Sequence, residues 1–124
     1  TEATHGYKTI IVPDVSADRT LTLPAPKVDL WFHILYFGAL ATDGHDVLIK
    51  TATQNTDFFH GGVLHHDTNQ TGQTTAVVHS DQDSNETLKM DTPEAIDLLC
   101  IGTSTTTWQI SGFVASVTAP AFAD

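Results

Sequence analysis

The strongest hydrophobic pattern in the chain runs from Lys27 to Phe37 and predicts a β-strand. Successive side chains of a strand point to opposite faces of its sheet. One set of alternate positions is wholly apolar: Val28, Leu30, Phe32, Ile34 and Tyr36. The other set is also largely apolar: Asp29, Trp31, His33, Leu35 and Phe37. Because a face of that composition is poorly matched to bulk water, we expect a second sheet or another subunit to cover it.

Several shorter segments alternate apolar with polar residues and predict further strands, separated by residues typical of turns. The segment 20–26 stops at Pro24 and Pro26, which favours a short edge strand, since proline cannot donate a ladder hydrogen bond. The other predicted strands are DVLIKTA (46–52), a segment around Phe58 to His65, TAVVHS (75–80), TLKM (87–90) and AIDLLCI (95–101).

The last two apolar segments predict a closing hairpin around a turn rich in Thr and Ser. Ile96, Leu98 and Cys100 on the first strand and Trp108 and Ile110 on the second would form matching apolar rows on one face of the hairpin. Beyond Gly112 the apolar positions become Phe113, Ala115 and Val117. This change of phase predicts a β-bulge near Ser111 and Gly112, because a shift of one residue would otherwise turn the wrong side inward.

These patterns predict an all-β fold, an antiparallel β-sandwich or barrel of jelly-roll-like form. The length of 124 residues suits one domain spanning 1–124. We place the β core at 20–117 and leave two interpretations of 1–19. The segment YKTIIVPDV (7–15) is apolar enough to act as an N-terminal arm that adds a strand to another chain, or it is the first strand of the domain itself.

Composition excludes several classes of function. Fifteen acids oppose five scattered bases, a formal charge of −10, so we expect no nucleic-acid partner. The longest apolar run is too short for a membrane helix of ~20 residues, so we expect no membrane insertion. The densest acidic stretch, 80–97, is typical of a solvated face. Cys100, the single cysteine, has no partner for an internal disulfide and lies between apolar residues.

Candidate chemistry is sparse, and the best candidate is the histidine group His60, His65 and His66. Histidine is a common ligand of zinc and iron, but on one strand His65 would point away from the other two. Surface or interface histidines are the simpler interpretation. No nucleophile elbow or phosphate loop is present in the sequence, and we expect no catalytic residue, no metal site, no cofactor and no enzymatic activity.

The order of the segments resembles capsid decoration (cement) proteins of tailed bacteriophages and related small β modules of tails and fibres. The resemblance covers roughly 20–117 and rests on TLTLPAP leading into a long apolar strand, then DVLIKTA, FFHGGVL and a hairpin ending TTWQISGFV. Trp108 and Gly112 fit the family's closing hairpin, whereas the turn GTSTTT lacks its Asp and its late Gly.

This resemblance implies a homotrimer on the outside of a capsid in the virion, bound to the major capsid protein or another virion protein and without a catalytic site. Aromatic residues tend to dominate interfaces, so we expect the trimer contact at Trp31, His33, Leu35 and Phe37. An N-terminal arm would bring Tyr7, Ile10 and Ile11 against neighbouring shell proteins.

Two alternatives remain at this stage. A tail or fibre module of the same fold would bind a host receptor through the loop 53–75, where Phe58 and Phe59 are the available aromatic residues. A cupin-like metal enzyme would use His60, His65 or His66, although the chain lacks the H-x-H pair followed by Glu that such sites use.

Overall fold

A computed structural model describes residues 1–38, 44–69 and 74–124, and nearly all of its regular structure is β. The one helix in these ranges, α1, is a single turn at Glu2–His5. The strands are β1 (Lys8–Val12), β2 (Arg19–Thr22), β3 (Trp31–Phe37), β4 (Val47–Lys50), β5 (Phe58–Asp67), β6 (Thr75–His79), β7 (Thr87–Met90), β8 (Ala95–Gly102), β9 (Thr107–Ser116) and β10 (Ala121–Ala123).

These strands form two sheets that pack face to face as a sandwich. The six-stranded sheet has the order β1-β3-β8-β9-β5-β6, and the four-stranded sheet has the order β10-β7-β4-β2. Three neighbouring pairs are parallel, namely β1 with β3, β2 with β4 and β5 with β9. The predicted all-β sandwich is therefore confirmed, but its sheets are mixed rather than wholly antiparallel and are not closed into a barrel.

The core fills the space between the two sheets with alternate residues from each strand. Trp108 is fully buried and packs edge to face on Phe32, with ring centroids 5.7 Å apart. From the four-stranded sheet, Val47, Ile49 and Leu88 are equally buried. Burying such side chains is the main favourable term in folding, so this layer fixes which face of each strand points inward.

The strand predicted for Lys27 to Phe37 is shorter than expected and begins at Trp31. Residues 27–30 form a turn instead, in which the Leu30 amide donates to the Lys27 carbonyl and Asp29 has a φ of 65°. Val28 is therefore exposed, whereas Leu30 is buried. The other predicted strands are present, and β2 lies at the sheet edge as its following prolines indicate.

The predicted bulge at Ser111 and Gly112 is wrong. The β8 and β9 strands keep one register from Ala95 opposite Ala115 to Gly102 opposite Trp108, so no residue is inserted. Val114 continues the buried row of Trp108 and Ile110, and Phe113 points outward. The apolar residues beyond Gly112 mark a second apolar face of the strand, rather than a shift of its inner face.

The segment Lys8–Val12 pairs in parallel with β3 of its own chain, at the edge of the six-stranded sheet. Val12 is buried and Ile10 packs against the core, which anchors the strand to this domain. The N-terminal region thus contributes the first strand of the sandwich.

Candidate interaction face

The six-stranded sheet has a second side, which points away from the four-stranded sheet and which we call the outer face. Alternation along each strand places these residues on it: Thr9 and Ile11 (β1), Trp31, His33, Leu35 and Phe37 (β3), Ala95, Asp97, Leu99 and Ile101 (β8), Thr107, Gln109, Ser111, Phe113 and Ala115 (β9), Phe58, His60, Gly62, Leu64 and His66 (β5), and Thr75, Val77 and His79 (β6).

The register joins one residue from each of the six strands into a single row across this face. The row is, in order, Ile11, Leu35, Asp97, Phe113, Leu64 and Val77. Five of its six members are apolar. Ile11 is 73% exposed, Val77 53% and Leu64 48%. Large apolar side chains aligned over a whole sheet form a contiguous patch, which is the surface feature that marks interaction sites.

Aromatic side chains extend the patch at both ends of β3. Trp31 packs edge to face with Tyr7 at a centroid distance of 6.4 Å, and Tyr7 is itself 54% exposed. Ile101 lies opposite Trp31 on the neighbouring strand β8. At the other end, Phe37 is 65% exposed. Aromatic residues with this exposure are the usual anchors of protein interfaces.

A hydrogen-bonded polar group lies within the apolar patch. His33 Nε2 is 2.8 Å from Asp97 Oδ1, and His33 Nδ1 is 3.0 Å from Thr9 Oγ1. The ring therefore bridges β1 and β8 across β3. With a neutral ring, Nε2–H donates to the carboxylate and the Thr9 hydroxyl donates to Nδ1. Every side-chain polar atom of the ring thus has a partner on the sheet itself.

The charge of the outer face differs from that of the whole chain. Among its described strand residues the only acid is Asp97, and there is no Lys, Arg or Glu, whereas the chain carries fifteen acids and five bases. Four of the seven histidines lie here: His33, His60, His66 and His79. At neutral pH the face is therefore almost uncharged.

Two shallow grooves cross the outer face and meet at Gly112. One, of about 490 Å³, is lined by Trp31, His33, Leu99 and other residues of β3 and β8. The second, of about 510 Å³, lies over β5, β6 and β9. Both are open and mostly apolar. Gly112, at a φ of 125°, leaves the backbone of β9 uncovered between them. Their shape fits protruding side chains of a partner surface better than an enclosed small molecule.

Of the seven residues predicted for the interface, six lie on or beside this face. Trp31, His33, Leu35, Phe37 and Ile11 point outward, and Tyr7 contacts Trp31. Ile10 faces the core instead and does not contribute. The sequence prediction missed the part of the face that other strands supply: Leu64, Val77, Leu99, Ile101 and Phe113. The second apolar set along β8, together with Phe113, was the signal for them.

The candidate metal ligands do not converge. His60 and His66 point outward from β5, whereas His65 is buried on the inner side, where Nε2 lies 3.1 Å from the Ser116 carbonyl oxygen. Within residues 1–38, 44–69 and 74–124, no cluster of three or more His, Cys, Asp or Glu side chains is arranged to hold a metal ion.

The other reactive groups are also poorly placed for chemistry. Complete burial raises the pKa of Cys100 to about 12, because desolvation disfavours the thiolate that would act as nucleophile. In the loop proposed to contact a receptor, Phe59 is fully buried and Phe58 half-buried. Residues 70–73 of that loop lie outside the described part of the chain.

Comparison with known proteins gave no match: no family model, no curated protein and no solved structure is detectably similar to the chain. In the described ranges, no helix has the length and apolar character needed to cross a membrane.

Proposed function

We propose that this protein is a structural protein of the virion, a capsid decoration (cement) protein that assembles as a homotrimer through the outer face and has no catalytic role. The observation that carries the proposal is the uncovered apolar row from Ile11 to Val77 with its flanking aromatic residues. The placement in a virion rests on the resemblance of the segment order to phage decoration proteins.

The distribution of charge favours further copies of the same chain as the occupant of the outer face. Two molecules of formal charge −10 repel each other through most of their surfaces. The outer face, with Asp97 as its one acid among the described residues, is where this repulsion is least and apolar contact is greatest. A strongly basic partner would be attracted to the acidic turns rather than to the outer face.

The size of the face also suits self-association. Six strands about 4.8 Å apart and four rows of residues span roughly 24 by 20 Å. That is a flat area of about 480 Å² before the relief of protruding side chains is added, against the roughly 800 Å² per partner of a standard interface. Three sheets of this width around an axis would lie roughly 7 Å from it, which leaves room for side chains such as Trp31 and Phe37.

In this role the protein would act mechanically. A molecule that binds the assembled shell and not its free subunits stabilises the shell by linkage. Many copies multiply a modest contribution per site, and the three linked copies of a trimer add avidity. The acidic turns, including the stretch 80–97, would remain on the outside and keep a crowded surface soluble.

The first test is the mass of the purified protein in solution, by light scattering behind a sizing column. We expect a particle of three times the 13.4 kDa chain. A single-chain mass at high concentration would contradict the proposal, because the outer face would then be stable in water alone. A mass of two chains would keep self-association but refute the trimer.

A second test addresses the virion. An antibody raised against the purified protein is applied to phage particles from the source culture and located by gold labelling in the electron microscope. Label over the capsid surface supports a decoration protein, and label confined to the tail identifies the tail or fibre module instead. Unlabelled particles would contradict a virion role.

A further inference from the structure

The polar group at His33 becomes important once the outer face is covered. In the isolated chain its members are partly solvated, with side-chain exposures of 30% for His33 and 49% for Asp97. In the proposed assembly the pair lies inside the contact, between Leu35 and Leu99 on the neighbouring positions of β3 and β8. Water that now screens the carboxylate would be excluded.

Excluding water from a carboxylate is costly unless an opposite charge accompanies it. With a neutral imidazole, each copy brings one uncompensated negative charge into the contact, and symmetry brings these charges of the copies toward one another. With a protonated imidazole, the His33 and Asp97 side chains form a neutral ion pair 2.8 Å apart. The Thr9 hydroxyl then accepts from Nδ1–H, so the second ring nitrogen remains satisfied.

We propose that assembly through the outer face is coupled to protonation of His33, so that the assembly tightens as the pH falls through the range in which histidine titrates. This inference rests on the proposed function and adds a regulation of the same surface. The sign follows from linkage: the assembled state holds the proton on His33 more tightly than the free chain, and it is therefore favoured where that proton is bound.

The other groups that face His33 leave this sign unchanged. From β1 the facing side chain is Thr9, and from β8 it is Asp97 with Leu99 beside it. Lys8 lies on the inner row of β1 and donates from Nζ to the Thr4 carbonyl. On the next strand, β9, the residues nearest this row are Ser111 and Phe113, which carry no charge.

The remaining histidines of the outer face act in the opposite direction but lie at its periphery, His60 in the outermost row with Trp31 and His66 in the opposite outermost row with Phe37. His60 and His66 on β5 are three strands from His33, and His79 is on the edge strand β6. At about 4.8 Å per strand, β5 is ~14 Å away, beyond the screening length of ~8–10 Å at physiological salt. Charges at a solvated rim change affinity little, whereas a charge pair at the centre of a contact changes it strongly.

The test measures the concentration at which half of the protein is assembled, by light scattering over a dilution series at about pH 8 and about pH 6. Three variants are compared with wild type. His33→Gln keeps an amide donor toward Asp97 but cannot titrate, and Asp97→Asn removes the charge. His45→Gln is the matched control, because His45 also lies near an aspartate, with Nδ1 3.8 Å from Asp18 Oδ1, but it precedes β4 of the four-stranded sheet.

We expect the midpoint of wild type and of His45→Gln to fall about tenfold from pH 8 to pH 6, because histidine titrates near 6.5. The midpoint of His33→Gln should stay constant within about twofold. Asp97→Asn should assemble more tightly than wild type at pH 8, since no carboxylate is covered. Circular dichroism checks the folding of all three variants, which we expect to be retained because His33, Asp97 and His45 are partly exposed.

The outcomes separate this inference from the proposed function. If His33→Gln keeps the pH dependence of wild type, or if Asp97→Asn weakens assembly at pH 8, the coupling is refuted while self-association stands. If wild type is monomeric at both pH values up to the highest concentration, the proposed function is refuted and the coupling with it.

Discussion

The two outer surfaces of the sandwich have opposite characters. On the four-stranded sheet, the outward positions of β2, β4 and β7 include Thr20, Thr22, Lys50 and Lys89. Lys89 Nζ lies 3.2 Å from Asp46 Oδ2 and 2.7 Å from Asp91 Oδ1, and these carboxylates raise the pKa of the lysine. On the six-stranded sheet, the corresponding positions carry Trp, Leu, Ile and Phe.

This difference shows what each sheet is adapted to face. A strand that alternates apolar and polar residues has one buried and one solvated side, whereas a strand apolar on both sides has both sides covered in its working state. The sequence RTLT of β2 follows the first rule, and WFHILYF of β3 follows the second. The chain itself covers only the inner side of β3, and in the proposed assembly further copies cover the other side.

Two neighbouring residues of β3 give the strongest test of this difference between a covered and an uncovered side. Ile34 is 1% exposed between the sheets, and Leu35 points outward. We expect Ile34→Ala to lower the free energy of unfolding by about 2–5 kcal/mol, because it leaves a cavity in the core. Leu35→Ala should lower it by less than about 1 kcal/mol when measured on dilute, dissociated protein.

Urea denaturation of both variants provides the measurement, and dilution assays report assembly. Leu35→Ala should raise the midpoint concentration of assembly, whereas Ile34→Ala should mainly lower the free energy of unfolding. Equal losses of folding stability would mean that the outer side of β3 is covered within the chain after all.

Substitution of Gly112, where the two grooves of the outer face meet, should have the next largest effect on folding stability. Its φ of 125° is unfavourable for other residues, and a Cβ there would overlap the carbonyl oxygen of Asp97. We expect Gly112→Ala to lower the free energy of unfolding by at least about 1–3 kcal/mol from strain alone. The matched control is Gly44→Ala, at a φ of 65°, where no atom of the described residues, apart from its chain neighbours, lies within 4 Å of the added Cβ.

Thermal unfolding compares the two glycine variants. Gly44→Ala should cost about 1 kcal/mol, the usual penalty for a left-handed residue, and Gly112→Ala clearly more. If the two costs were the same, the close approach of β8 to β9 at Gly112 would not constrain the sheet.

A charge placed on each outer surface tests the comparison directly. Trp31→Asp and Leu35→Asp put a carboxylate into the proposed contact, and we expect each to raise the midpoint concentration of assembly by more than about a hundredfold, since an unpaired charge would be buried. The control Thr22→Asp adds the same charge to the four-stranded sheet, beside Lys50 in the register, and should leave assembly within about twofold of wild type. A Trp31→Asp variant that remains a normal trimer would remove this residue from the interface.

Much of the sandwich could be predicted from local patterns, because alternation within a strand depends on residues next to each other. The positions of β2, β4, β6, β7 and β8 were predicted in this way. Of the outer face, only the residues along β3 and, as part of an N-terminal arm, Tyr7 and Ile11 were predicted. Its other members depend on which strands become neighbours, and the pairing of β5 with β9 joins Phe58 to Thr107, almost fifty positions apart. Such long-range pairings are set by burial of the whole core, which a local pattern does not report.

The error at Gly112 has the same origin. The apolar residues Phe113, Ala115 and Val117 were assumed to belong to the core, which required a bulge to turn them inward. In the structure the strand keeps its register and Val114 fills the core position. A rule that assigns every apolar row to the inside fails wherever a sheet has two apolar faces, and that failure marks a candidate interaction surface.

The smallest predicted effect concerns an acidic residue in a turn, away from the outer face. Asp81 Oδ1 accepts from the backbone amides of Asp83, Ser84 and Asn85, and these bonds lower the pKa of Asp81 from 3.8 to about 2. A carboxyl group whose pKa is lowered by folding stabilises the fold above its unfolded pKa, and that contribution is lost as the pH falls toward the folded value.

Asp81→Asn should therefore have a lower Tm than wild type at neutral pH. The difference should shrink from about pH 4 downward and vanish near pH 2, in scans by differential calorimetry. Asp83→Asn removes the same charge but keeps the bonds to Asp81, so its Tm should follow wild type throughout. A gap between Asp81→Asn and wild type that persists at pH 2 would show that the turn depends on the shape of the side chain and not on its charge.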